Sequence, residues 1–184
     1  MDPLTTLLLS AQQGDRDALE RFVAATHDEV LALCRYLGDG DNYEDLAQQA
    51  YERAIASLHR YRATGPARHW LLTIVRRTCV DATRSRIRRR RLHERAKSLA
   101  AVHDEATTQA APTFELDDLI LGLQPDRRAA FVLTQITGLS YDEAADVLSV
   151  PIGTIRSRVA RARADLVSAM NVWELRDGSQ RPAG

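Results

Sequence analysis

A chain of 184 residues with 45% hydrophobic and 27% charged side chains can bury a core, as one large domain or two small ones. No apolar run approaches the ~20 residues of a bilayer span, and the short Leu7-Leu8-Leu9 stretch lacks a basic leader, so neither a membrane helix nor a signal peptide is expected. A formal net charge of zero argues against a uniformly basic nucleic-acid binder.

Leu19, Phe22, Val23, Val30, Cys34 and Leu37 recur at spacings of three, four and seven and predict a first helix. The string 37–43 breaks it. Leu46, Ala47, Ala50, Ala54 and Leu58 form the stripe of a second helix, which ends before 61–68, where Gly65-Pro66 is a strong turn signal. Trp70, Leu71, Ile74, Val75, Thr78 and Ala82 make a third stripe, running on into the polar segment 84–91. Residues 96–113, rich in Ala, Ser and Thr, read as a linker, part-helical in its first half. Pro125, Gly138 and Pro151 divide a second helical domain over 114–172, and 173–184 is a polar tail. No alternating strand pattern is present. The expected fold is all-α: a first domain over 1–95, a flexible linker, and a second small domain.

The zero charge conceals alternation along the chain. Residues 1–55 carry −7, 56–95 carry +10, 96–150 carry −6 and 151–184 carry +3. Two basic blocks separated by an acidic one suggest two contacts with a polyanion. Of the 25 basic residues, 24 are Arg, which suits bidentate contacts to phosphate and guanine, although a GC-rich genome produces the same bias. Cys34 and Cys79 both lie in apolar helical settings and read as buried free thiols of a cytoplasmic protein.

Residues 139–166 carry the clearest local signal. Ser140 and Glu143 have capping-box spacing, so a helix starts at Tyr141 with Ala144, Ala145 and Leu148 inward. Ser149-Val150-Pro151 ends it. A second helix begins near Ile152, with Ile155, Val159, Ala162 and Leu166 on its inner seam and Thr154, Arg156, Ser157, Arg158, Arg161 and Arg163 outward. This is the layout of a helix-turn-helix, whose second helix enters the major groove. In the first domain, Asp45, Gln48, Gln49, Glu52 and Arg53 lie opposite an apolar stripe and form a polar face suited to a protein partner. Arg76, Arg77, Arg84 and Arg88 come toward one broad face of the third helix and suit phosphate anchoring. Trp70 opens the apolar stripe and reads as core, with base stacking as the alternative.

Three segments together resemble the extracytoplasmic-function sigma factors of bacterial RNA polymerase. Residues 44–61 resemble region 2.2, 67–91 resemble regions 2.3 and 2.4 with Asp81 three residues before Arg84, and 123–163 resemble region 4 with Gly153-Thr154 opening the recognition helix. The resemblance covers roughly 15–172. It implies that the face at Asp45, Gln48, Gln49, Glu52 and Arg53 docks on the β′ clamp helices of the polymerase core, and that the second domain meets the β flap. It implies that Arg62, Arg68, Arg76, Arg77, Asp81, Arg84 and Arg88 serve the −10 element, with the loop from Arg62 to Arg68 receiving a flipped base. Thr154, Arg156, Ser157, Arg158, Arg161 and Arg163 would then serve the −35 element. Many family members carry Asn where Arg77 stands, so a base preference depending on that Asn is in doubt. With no regulatory extension after region 4 and no acidic inhibitory region at the start, control is expected from synthesis, proteolysis or a separate anti-sigma factor, and the free protein is expected to be a monomer.

Two other classes compete. A helix-turn-helix regulator would share 139–166 but would need neither of the first domain's motifs; it would dimerise and bind duplex DNA alone. An enzyme is disfavoured: His27, His59, His69, His93 and His103 lack metal-ligand spacing, and no phosphate-binding loop or nucleophile elbow appears. Asp117-Asp118 reads as a pair favouring a helix dipole. No catalytic residue, metal or cofactor is expected.

Overall fold

The computed structural model describes residues 1–38, 42–98 and 116–178, with side chains up to 93 and 171 in the two long helices. The described residues form eight α-helices and no strand. Helix α1 spans Pro3–Gln12, α2 Arg16–Leu37, α3 Tyr43–Ser57 and α4 Ala67–Ser98, with one 3₁₀ turn at Leu58–Arg60. The second domain has α5 at Leu116–Leu121, α6 at Pro125–Phe131, a π turn at Val132–Ile136, α7 at Tyr141–Leu148 and α8 at Ile152–Gly178.

Local chemistry sets most of the boundaries. Asp2 accepts from the Thr5 amide at 3.0 Å with Pro3 in the first turn of α1, and Asp15 accepts from the Ala18 amide at 3.0 Å to start α2. Gly38 ends α2 where only hydrogen fits: a Cβ there would lie 2.4 Å from the Cys34 carbonyl oxygen and 2.7 Å from Leu46 Cδ1. The Ser140–Glu143 capping box forms in full and starts α7. Ser149, at φ 55°, ends it in the left-handed conformation, and α8 follows Pro151.

In the first domain α1 packs on α2, and α2 packs on α3 and α4. Leu8, Phe22, Val30, Leu33, Leu71, Leu72 and Val75 are buried at their centre, each worth about 1.5–3 kcal/mol of transfer free energy for a fully buried large side chain. Cys34 and Cys79 are free and buried, with their sulfurs 3.9 Å apart across α2 and α4. The hydrogen bond from Cys79 and the burial both push the Cys34 thiol far above its ordinary value, which keeps it protonated and unreactive. In the second domain Ile155, Val159, Ala162 and Leu166 of α8 close the core against α6 and α7, along with Val132, Leu133, Ala144 and Val147.

The two domains pack directly, α7 on α4 and α6 on α2. Asp117 accepts from both Arg35 and Tyr36 of α2. Burial raises the Tyr36 hydroxyl above its ordinary pKa, and the Asp117 hydrogen bond adds to that. Asp117 therefore does more than favour a helix dipole.

Several sequence expectations change. Helix α1 was not anticipated. Helix α4 continues through 96–98 and α8 through 173–178, so the boundaries placed at 95 and 172 fall inside helices. The rest of the linker, 99–113, and the end of the tail, 179–184, lie outside the described residues. Leu72, outside the third stripe, is wholly buried because α4 is covered from several sides, and Cys79 is a buried free thiol as its apolar setting implies.

Candidate nucleic-acid interface

The loop before α4 is held by the unanticipated first helix. The Gln12 side-chain amide donates to the Leu58 carbonyl at 2.9 Å and to the Tyr61 carbonyl at 3.0 Å. Thr5 Oγ1 accepts from the Ala67 amide at 2.9 Å and so satisfies the first turn of α4. Tyr61 donates from its hydroxyl to the Gly65 carbonyl at 2.7 Å. Ala63 takes a left-handed φ of 52°, which bends the loop outward.

This fixed loop borders a cavity of about 410 Å³. Arg62, Thr64, Pro66, His69 and Trp70 line it from the first domain, and Asp146 lines it from α7. Trp70 is half-buried and rests on Tyr61, ring centroids 5.2 Å apart and planes at 49°. It therefore serves the core and the cavity wall together. Arg62 is exposed and donates to the His59 carbonyl at 3.2 Å.

Arg68 belongs to the first turn of α4 and is committed elsewhere. Its guanidinium bonds both Glu29 oxygens from Nε at 3.1 Å and Glu29 Oε1 from Nη2 at 2.6 Å, while Nη2 also donates to the Thr137 carbonyl of the second domain. Next to it, His69 Nε2 lies 3.0 Å from Glu143 Oε1. The Ser140 amide, donating to Glu143, holds that carboxyl below its ordinary pKa, and His69 contributes. Arg68 and His69 thus join the domains, a role invisible locally because Glu29, Thr137 and Glu143 lie far away in sequence.

The arginines of α4 do not share one face. Arg76 is half-buried and turns into a cleft between the domains, where burial lowers its guanidinium pKa. Arg77, Arg84 and Arg88 are exposed. Asp81 pairs with Arg53 of α3 at 3.0 Å, and Arg53 also donates to Thr78 Oγ1 at 3.3 Å. Arg53 therefore ties α3 to α4 while remaining exposed, and Asp45, Gln48, Gln49 and Glu52 stand exposed with it on α3. Gln48 Nε2 donates to Glu52 at 3.0 Å.

On α8, Arg156, Ser157 and Arg161 are exposed and Thr154 is half-buried. Arg158 turns back to Asp126 of α6 at 2.6 Å. Arg163 is exposed and donates to Gln135 at 2.8 Å. The helix-turn-helix therefore presents a smaller set of arginines than its outward spacing suggests. No helix among the described residues is long and apolar enough to cross a membrane.

Comparison with known proteins covers both domains. The description Sigma-70 region 2 matches residues 22–91, and Sigma-70, region 4 matches residues 113–166. The chain is 39% identical over 168 residues to the ECF RNA polymerase sigma factor SigC of Mycobacterium tuberculosis, covering 91% of each chain. It is 28% identical to the ECF RNA polymerase sigma-E factor of Escherichia coli, covering 85% of this chain and 88% of that one. Among solved structures, CnrH in complex with the cytosolic domain of CnrY is similar in fold, with a TM-score of 0.71 at 23% identity over 93% of this chain and 99% of that one. The sigma factor RpoE in complex with the anti-sigma factor NepR from Bartonella quintana is similar with a TM-score of 0.65 at 26% identity, covering 84% of this chain and 97% of that one.

Proposed function

This chain belongs to the extracytoplasmic-function sigma factors of the sigma-70 family, and on that premise we propose how its surfaces divide the promoter and the polymerase between them. It binds RNA polymerase core and directs promoter-specific initiation through −10 and −35 recognition and promoter melting. As an initiation factor it supplies recognition and leaves phosphodiester chemistry to the polymerase.

The observation that carries the division is the separation of three surfaces of different chemistry. Helix α3 exposes Asp45, Gln48, Gln49 and Glu52, an acidic and amide face for the β′ clamp helices. The second domain takes the β flap. Arg77, Arg84 and Arg88 of α4 grip −10 phosphates. The cavity beside Arg62 and Trp70 holds an extruded non-template base, replacing the stacking lost when the duplex opens. Thr154, Arg156, Ser157 and Arg161 of α8 read the −35 major groove. Arg68 and Arg158 shape these surfaces from behind, while Arg53 and Arg163 are exposed and held by Asp81 and Gln135. Since α7 lies on α4, the two readers part before each reaches its own promoter element.

The chain works in the cytoplasm, as a monomer when free. An anti-sigma factor is its proposed regulator, on the ground of its 26% identity to the RpoE crystallised with NepR.

The test is run-off transcription with purified core on a promoter library, together with co-purification with core. Selective initiation and a one-to-one complex with core are expected. A dimer that binds duplex DNA tightly without core and supports no initiation would replace this reading with that of a separate regulator.

A further inference from the structure

We propose that the cleft between the two domains is a binding site for a small, multiply charged oxyanion of the phosphate class, which clamps the domains together. This goes beyond promoter recognition; the site does not rest on that assignment, and only its opposition to DNA does.

The cleft encloses about 280 Å³. Arg76 and Arg84 reach it from α4, Arg128 from α6 and Arg158 from α8. Among the described residues, Asp126 is the one carboxylate lining it. Arg128 is already engaged, donating to the Leu121 carbonyl at 2.7 Å, so the guanidinium groups that bear on the cleft are those of Arg76, Arg84 and Arg158, facing Asp126 among the described residues. Arg76 feels the positive charge of Arg77, Arg158 and Arg84, which adds to the effect of its burial, while Asp126 partly offsets both. Val80 and Leu148 supply apolar wall, which excludes water and strengthens the field inside. Closing the domains therefore concentrates like charge that an oxyanion neutralises.

Guanidinium forks match phosphate oxygens two at a time. The volume accommodates a few phosphoryl groups. Asp126 stands in for the ligand when the cleft is empty of anion: its carboxylate sits 2.6 Å from Arg158 while its side chain is 74% exposed, so it can swing away. Arg84 is exposed, but a DNA backbone meets the half-buried Arg76 and Arg158 only after the domains part. A small anion and DNA therefore select opposite states of the chain, and each opposes the other by mass action.

The experiment uses the full chain with inorganic tripolyphosphate as the probe, by calorimetric titration and thermal unfolding at constant ionic strength. Saturable one-to-one binding and a raised Tm are expected. Arg76→Gln and Arg158→Gln should each weaken binding at least tenfold, while Arg88→Gln and Arg91→Gln, on the open end of α4, should leave it unchanged. Asp126→Asn should tighten binding threefold or more by removing the competing carboxylate, an outcome that a damaged fold does not produce. Non-saturating binding, equal losses from the Arg88 and Arg91 variants, or no gain from Asp126→Asn would each overturn the site. A duplex oligonucleotide forms the second arm. The same threefold tightening of duplex binding by Asp126→Asn would assign these arginines to DNA and overturn the small-anion site.

Discussion

Replacing Arg68 with Met, which keeps the apolar stem and removes the charge, separates a structural role from a DNA-contacting one. Arg68 makes three contacts of 2.6–3.1 Å to Glu29 and one bond to the Thr137 carbonyl, with side-chain exposures of 30% for Arg68 and 19% for Glu29. A hydrogen bond to a charged group contributes about 1.5–3 kcal/mol and a fully exposed pair about 0–1 kcal/mol. Partial screening places this clasp near the lower end of the first range, at about 1.5 kcal/mol. With a urea slope of about 2 kcal/mol per molar, the midpoint of Arg68→Met should fall by about 0.7 M. Urea unfolding of the parent, Arg68→Met, Glu29→Gln and the double variant gives the coupling directly, with about 1 kcal/mol expected. In the polymerase complex, Arg68→Met should bind single-stranded −10 DNA within twofold of the parent. A coupling below about 0.3 kcal/mol, the scale of simple additivity, combined with a large loss of −10 affinity, would refute the reasoning and return Arg68 to the DNA surface.

Other outcomes follow from the same geometry. Arg156→Ala or Arg161→Ala should cost about 1–3 kcal/mol of promoter discrimination, measured as affinity for matched against mismatched −35 duplexes; uniform weakening on all sequences would mean phosphate contact alone. Reversing Asp45 and Glu52 to Lys should weaken binding to core in a pull-down titration while circular dichroism stays unchanged, and full retention of affinity would move the interface off α3. Glu143 titrates below its ordinary value of 4.5 in the folded chain, so its contribution is present above that value and is lost as pH falls through the lower folded pKa. Glu143→Gln should therefore flatten the acid limb of stability below about pH 4.5, and parallel pH profiles would contradict that. Ser140→Ala removes the other half of the capping box and should cost about 1 kcal/mol, read as a lower Tm.

Where apolar spacing is regular, the sequence carries the fold. Helices α2, α3 and α4 follow from Phe22, Val30, Leu46, Ala50, Leu71 and Val75, and the helix-turn-helix follows from Ser140, Glu143 and the Pro151 break. Helix α1 escaped because its stripe is short and its start signal, Asp2 followed by Pro3, lies at the very beginning of the chain. The candidate surface was legible only in part. Helical spacing shows which arginines point outward, yet it says nothing of Asp126 waiting for Arg158, Gln135 for Arg163 or Glu29 for Arg68. Those partners come from other elements, so their positions depend on how the helices and domains pack. Interdomain docking left no periodic signature either, since α7 on α4 and α6 on α2 meet through partners far apart in sequence, such as Asp117 and Thr137.

The length of α4 sets a mechanical constraint. A 32-residue helix extends about 48 Å, close to fourteen base-pair steps at about 3.4 Å each. From Arg84 to His93 it runs almost wholly in solvent. The chain toward the second domain therefore leaves from the tip of a strut whose direction is fixed by helical phase. One residue inserted between Arg88 and Arg91 would advance that tip by about 1.5 Å and rotate it by about 100°. Seven inserted residues would restore the heading to within about 20° while lengthening the strut by about 10 Å. Indels here act as changes of compass bearing more than of reach, so they swing the exposed surface from the point of insertion to His93 around the helix axis.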